Sequence, residues 1–387
     1  MQNFRLHTPT QIIFGEGQVD ALKDLLPHGT RILITIGGGS VKQNGVLDQV
    51  MTALKDHEVD LFEGIEPNPK YETLMQAVEQ VRQQHYDLLL SVGGGSVLDG
   101  TKFIAAAAHY DPSEDPWRFV EAGGLGIKQA MPIGCVLTLP ATGSESNANS
   151  VISRLSTGQK LGFASAKVIP QFAILDPTHT YTLPTRQVAN GVVDAFVHTI
   201  EQYLTYPVNA RLQDRFAEGI LQTLVEEGPR ALAEPHNYEV RANIMWSATM
   251  ALNGLIGAGV PQDWATHMLG HELTAVYGLD HAQTLAVVLP SLLQVQRTQK
   301  HAKLLQYAER VWGLDCSDPE HAIERAIEKT RAFFESMGTP TTLAGYDISN
   351  PDLDLLVKRL ETHNLTQLGE HQDIDLAKSR LIYQMAS

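Results

Sequence analysis

Short, uninterrupted apolar runs alternate with amphipathic stretches through the first half of the chain. Arg31 to Ile36 (RILITI) and Asp87 to Val92 (DLLLSV) are apolar at successive positions, the pattern of strands buried on both faces of a parallel sheet. Gln11 to Phe14, Ile133 to Leu139 and Phe172 to Leu175 read as further strands. Helical periodicity covers Val46 to Lys55, Tyr71 to Gln84 and the stretch that ends at Ala108. Strands alternating with helices predict a parallel α/β sheet. After Leu183-Pro184 the period changes. Almost every later segment is helical, including Arg241 to Leu255, Ala302 to Trp312 and Pro319 to Phe334. Two domains are expected, an α/β domain at 1–185 and an all-helical domain at 186–387. No low-complexity linker separates them, so a ligand cleft between them is the default expectation.

A strand–GGGS–helix unit occurs twice, at Gly37-Gly38-Gly39-Ser40 and at Gly93-Gly94-Gly95-Ser96. Glycines at a strand end let a phosphate approach backbone N–H groups at the positive end of the following helix. Gly94, Gly95 and Ser96 suit that task, with Asp99 and Lys102 on the helix beyond. A single such turn is as well explained by tight βα geometry; two in one sheet favour a dinucleotide site. The spacing is not the GxGxxG fingerprint. In the first turn no carboxylate follows Ile36, whereas Ser40 and Lys42 are close. Sites for NAD commonly use an acid on the ribose hydroxyl, so this turn favours NADP(H). Thr138 to Asn147 (TLPATGSESN) is dense in hydroxyls and follows a strand, and Lys160 is expected in a short polar loop.

Composition narrows the function classes. The 387 residues carry 29 Lys and Arg against 44 Asp and Glu, a formal charge of −15, with no cationic cluster. Nucleic acid and membrane partners are disfavoured. Two cysteines, Cys135 and Cys316, exclude a disulfide framework or a cysteine zinc site by count and fit a reducing cytoplasm.

The 15 histidines are unevenly placed. Asp194 and His198 are four apart in an apolar segment, as are His267 and His271, and His281 follows. Residues four apart share a helix face, and a buried Asp needs a partner or a metal. A lone core histidine is usually just hydrogen-bonded, but one carboxylate with several imidazoles suits Zn²⁺ or Fe²⁺. Spacing does not say which of His267, His271 and His281 ligate. The HExxH pattern is absent, because Ala275 stands where its second histidine would be.

These residues resemble the iron-containing (group III) alcohol dehydrogenases along the whole chain. The likeness rests on Phe14-Gly15-Glu16-Gly17, the GGGSxxDxxK run from Gly93 to Lys102, the Thr138 to Asn147 loop, Asp194 with His198, and the stretch from His267 to His281. Within the family the chain looks nearest the bacterial NADPH-dependent aldehyde reductase, or butanol dehydrogenase, branch. The resemblance implies a dehydroquinate synthase-like fold. A Rossmann-like nucleotide-binding domain would be followed by a helical metal-binding domain, with the active site in the cleft between them. It further implies a cytoplasmic homodimer acting on aldehydes and primary alcohols.

By the same resemblance Asp194, His198, His267 and His281 hold the metal, while His271 lines the pocket. Gly37, Gly38, Gly39, Ser40 and Lys42 sit at the adenosine end, and Gly94, Gly95 and Ser96 cradle the diphosphate. Asp99, Thr138, Thr142, Asn147, Lys160 and Leu183 line the remaining cofactor path. His281-Ala282 departs from the usual His-Gly without threatening the ligand. His271 is a candidate proton relay, with water or a ribose hydroxyl as rival donors. The affinity order favours zinc; the family name favours iron. The competing reading is a lyase or cyclase of the dehydroquinate synthase type that uses NAD transiently.

Overall fold

A computed structural model of the chain describes all residues, 1–387. Six strands form one parallel sheet: β1 (Gln11–Phe14), β2 (Arg31–Thr35), β3 (Glu58–Phe62), β4 (Leu88–Gly94), β5 (Ile133–Leu139) and β8 (Phe172–Leu175), in the order β1-β8-β5-β4-β2-β3. Its central strands are the apolar runs, and Ile32, Leu33, Ile34, Leu89, Leu90 and Val92 are fully buried. The chain moves from β2 outward to β3, then returns past β2 to β4 and continues to β5. The point where the winding reverses therefore lies between β2 and β4, the two strands that end in GGGS. In open α/β sheets ligands bind at such a switch point.

Two elements escape the apolar-run pattern. β3 is the sheet's edge strand, and its EVDLF sequence alternates charged and apolar residues because one side meets solvent. β6 (Asn149–Arg154) and β7 (Gln159–Ala164) pair as a separate antiparallel hairpin. Lys160 thus lies on strand β7, not in a polar loop; six paired positions override its local polarity.

The chain divides into two compact units, an α/β unit of His7–Leu183 and a helical unit of Pro184–Ser387 with Met1–Leu6. The first six residues join the helical unit through bonds such as Gln2 N–H to the Gly259 carbonyl at 2.9 Å. The helical unit is built around Thr185–Tyr203, Arg211–Ala233, Tyr238–Ala251, Ala265–Tyr277 and His281–Val295. Thr185–Tyr203 is buried at every position from Val188 onward, so its polar residues must find partners inside the protein. No helix is long and apolar enough to cross a membrane.

Candidate active site

In the α/β unit the helix Gly95–Ala108 starts directly after β4 and has no side-chain cap, which leaves its leading N–H groups available to an anion. Gly95 is dictated by packing: a Cβ there would stand 2.5 Å from Thr142 Oγ1. The glycine turn and the hydroxyl loop after β5 are therefore in direct contact. Thr138 is buried on β5, and Leu183 lies half-buried just before the helix Thr185–Tyr203.

Asp99 and Lys102, one helical turn apart, hold that loop from beneath. Asp99 accepts from Ser144 Oγ at 2.7 Å and from Val151 N–H at 2.9 Å. Lys102 is fully buried and donates to Ser144 Oγ at 2.8 Å, the Asn147 carbonyl at 2.9 Å, Asn147 Oδ1 at 3.2 Å and the Asn149 carbonyl at 2.8 Å. Burial pushes the Lys102 ammonium down to about 8, against the pull of Asp99 and Glu145, and burial raises the Asp99 carboxyl. Above pH 8 the neutral amine has two protons for four acceptors. We expect KM for the nicotinamide nucleotide to rise as pH passes 8, and Lys102→Met to remove that rise. On stability alone the sign is opposite. The folded value lies below the usual 10.5, so this group adds stability as pH climbs between the two. Initial-rate titrations of nucleotide against pH therefore test the clamp, and thermal melts do not.

The first glycine turn holds a carboxylate that local reading did not count. Lys42 Nζ lies 2.6 Å from Glu63 Oε2, and both side chains are about half exposed. Glu63 follows β3, which pairs with β2 and so brings it beside the turn. Lys160 Nζ donates to Asn68 Oδ1 at 2.8 Å.

In the helical unit three buried or half-buried imidazoles surround one carboxylate. The Nε2 atoms of His198, His267 and His281 lie 3.7, 3.9 and 3.7 Å from Asp194 Oδ1. One donor atom each from Asp194, His267 and His281 fall within 4.8 Å of one another. His198 stacks on His267 with ring centroids 4.7 Å apart. His271 stands beside the cluster, its ring 5.2 Å from that of His281. Asp194 and His198 are one turn apart on Thr185–Tyr203, and His267 is on Ala265–Tyr277. His281 opens His281–Val295 at a capping box, where Asp280 N–H donates to the Gln283 side chain at 3.0 Å. Asn190 Nδ2 donates to Asp280 Oδ2 at 2.8 Å and ties that helix start to the Asp194 helix. Gly270 lets the helices Ala265–Tyr277 and His281–Val295 meet, because a Cβ there would lie 2.9 Å from Thr284 Oγ1.

Asp194 Oδ1 is buried and makes no hydrogen bond. A buried anion left in this state is costly. The spacings are too long for hydrogen bonds but leave room for an ion about 2 Å from each donor. Nitrogen and carboxylate donors in this ratio suit Zn²⁺ or Fe²⁺. The residues present fit the metal.

The sequence reading missed Glu201. It continues the Asp194–His198 stripe by one more turn, and its carboxylate accepts from His267 Nδ1 and from the Thr266 and His267 N–H groups. That bond fixes the tautomer, so that Nε2 faces Asp194. Burial, followed by the charge of Asp263, pushes the Glu201 carboxyl above its usual range. A dication on the far side of His267 would favour its anion.

The profile described as iron-containing alcohol dehydrogenase matches residues 9–177, and that of the family's C-terminal part matches 188–373. The NADPH-dependent aldehyde reductase YqhD of Escherichia coli (strain K12) is 64% identical over 386 residues, covering 100% of both chains. Probable NADH-dependent butanol dehydrogenase 1 of Bacillus subtilis (strain 168) is 41% identical over 365 residues, 93% of each chain. The crystal structure of E. coli K-12 YqhD matches with a TM-score of 0.99, covering 100% of this chain and 99% of that one. That of NADH-dependent butanol dehydrogenase A from Thermotoga maritima matches with a TM-score of 0.94 at 33% identity, with 100% and 99% covered. Profiles over both halves and full-length relatives agree: this chain belongs to the iron-containing alcohol dehydrogenase family.

Proposed function

We propose that the protein is an NADP(H)-dependent aldehyde reductase, or alcohol dehydrogenase, of broad substrate range. The observation that carries this reading is the convergence of three imidazole nitrogens on the buried Asp194 oxygen. Asp194, His198, His267 and His281 would hold one divalent ion. The α/β unit would bind the nucleotide, with Gly94, Gly95 and Ser96 at the diphosphate. Thr138, Thr142, Asn147, Lys160 and Leu183 would lie along its path, with Asp99 bracing the loop. The relatives named above are reductases and dehydrogenases, which favours this reading over a dehydroquinate synthase-type lyase. The test is NADPH consumption at 340 nm with an aldehyde panel; no net oxidation with any aldehyde would refute the reading.

When bound, the ion supplies Lewis acidity toward a carbonyl oxygen and the nucleotide supplies the hydride. The chain's own contribution is placement. One carboxylate and three neutral imidazoles leave a net charge near +1 at the site, which attracts an oxygen that is gaining negative charge. Asp194, His198 and His267 are buried, and charge interactions are stronger there than in water. His271 would hand a proton to the product oxygen. We expect His271→Ala to lower kcat by about a hundredfold, flatten its pH profile and leave KM for NADPH unchanged. Wild-type kcat across the pH range would remove the role.

The relatives differ between NADPH and NADH, and the first turn of this chain favours NADP(H). Gly37, Gly38, Gly39 and Ser40 present no side-chain carboxylate of their own, and a ribose 2′-phosphate would compete with Glu63 for Lys42. We expect Lys42→Ala to lower kcat/KM for NADPH about fivefold, the modest effect of a half-exposed charge, with NADH little changed. A clear wild-type preference for NADH in parallel kinetics would contradict this assignment.

A further inference from the structure

Trp264 stands immediately before the helix that carries His267 and His271, and its backbone is left-handed, with φ 64°. Seven non-glycine residues have positive φ. Six are Asn, Asp, His or Gln, and Trp264 is the one large aromatic among them. A bulky side chain is strained in this region, where glycine would not be. Such strain persists only where the surroundings enforce it, and here they do. Asp263 N–H donates to the Glu201 carbonyl at 2.9 Å, and Asp263 Oδ2 pairs with the buried Lys300 at 2.7 Å. Ala265 N–H donates to Asp263 Oδ1 at 2.9 Å. The indole Nε1 donates to Gln262 Oε1 at 2.8 Å.

This anchoring sets the indole against the histidine cluster. Its ring lies edge-on to His267, with centroids 5.4 Å apart, and to His198 at 6.2 Å. Trp264 is only half-buried, unlike Trp117, which is enclosed in the α/β unit. A strained aromatic with part of its surface open, against two of the four groups assigned to the ion, is poorly explained as core filling.

We infer that Trp264 is a specificity-determining residue, its indole forming an apolar wall against which the hydrocarbon chain of the aldehyde packs. This rests on the aldehyde reductase reading. It adds that chain length and bulk next to the carbonyl are discriminated here, through KM, since the indole carries none of the reacting atoms.

Two variants test it. Trp264→Gly removes the wall and relieves the backbone, so its Tm should be no lower than wild type and its ion content unchanged. Its kcat/KM for butanal should fall about tenfold, chiefly through KM, while acetaldehyde changes less than threefold. 2,2-Dimethylpropanal should improve relative to butanal, and KM for NADPH should stay constant. Trp264→Phe should keep the wild-type substrate order. A Trp264→Gly protein that melts earlier or does not fold would make the indole a packing residue and overturn the inference. So would one that loses activity equally on all three aldehydes. A wild type that oxidises no NADPH with any aldehyde would overturn the functional reading and this inference together. An active wild type with unchanged substrate ratios in Trp264→Gly would overturn the inference alone.

Discussion

Asp194→Asn is expected to leave a folded protein that carries almost no ion and whose kcat/KM with NADPH and butanal is at least about a thousandfold lower, a loss of about 4 kcal/mol in transition-state stabilisation. Asparagine has the same shape, so the helix Thr185–Tyr203 keeps its packing. What disappears is the only anionic group among the four proposed donors, the oxygen on which three Nε2 atoms converge. Without it an ion with three imidazoles keeps its full double charge in a buried site, which is unfavourable. The protein itself loses no hydrogen bond at Oδ1, and a buried charge is removed. The metal-free variant should therefore melt at or above the temperature of the metal-free wild type. Elemental analysis, kinetics and melts on the same preparation check all three statements. A variant that keeps one ion per chain and wild-type turnover would contradict the assignment.

Glu201→Gln should weaken ion binding by about 10–100-fold, the usual cost of losing the partner that orients a ligating histidine. Both Glu201 oxygens face donors: Oε1 accepts from Thr266 N–H at 2.6 Å and from His267 N–H at 3.3 Å, and Oε2 accepts from His267 Nδ1. An amide has one oxygen, so its NH₂ must be turned toward a donor. Either His267 loses its orienting bond or the helix start at Thr266 loses its cap. Chelator-competition titration measures the affinity. Excess metal should restore most of kcat, because the Glu201 carboxylate is buried on the Nδ1 side of His267. Unchanged affinity would leave Glu201 a purely structural acid.

How far the sequence could be read depended on whether a residue's partners are local. β2 and β4 were visible because a strand buried on both faces must be apolar at every position. β3 was not, since an edge strand alternates, and EVDLF resembles a solvated stretch. Asp194 with His198 was visible as an i, i+4 pair in an apolar helix. Glu201 lies on the same stripe, yet its meaning depends on His267, 66 positions away. Glu63 is the clearest case. The reading of the first turn counted carboxylates only along the chain after Ile36, and the pairing of β2 with β3 supplied one from the neighbouring strand. Lys102 was noticed within a motif, but only the fold shows its ammonium turned inward on the 144–149 loop. The strain at Trp264 had no local signal, because nothing in the residues Gln262-Asp263-Trp264 specifies a left-handed backbone.

One divalent ion, held by Asp194, His198, His267 and His281, would be needed for NADPH-dependent aldehyde reduction. The most direct measurement is metal stoichiometry alongside turnover, on protein stripped by a chelator and then titrated with Zn²⁺ or Fe²⁺. Near-zero turnover is expected in stripped protein, with recovery that saturates at one ion per chain. Full turnover in protein that contains no metal would contradict it.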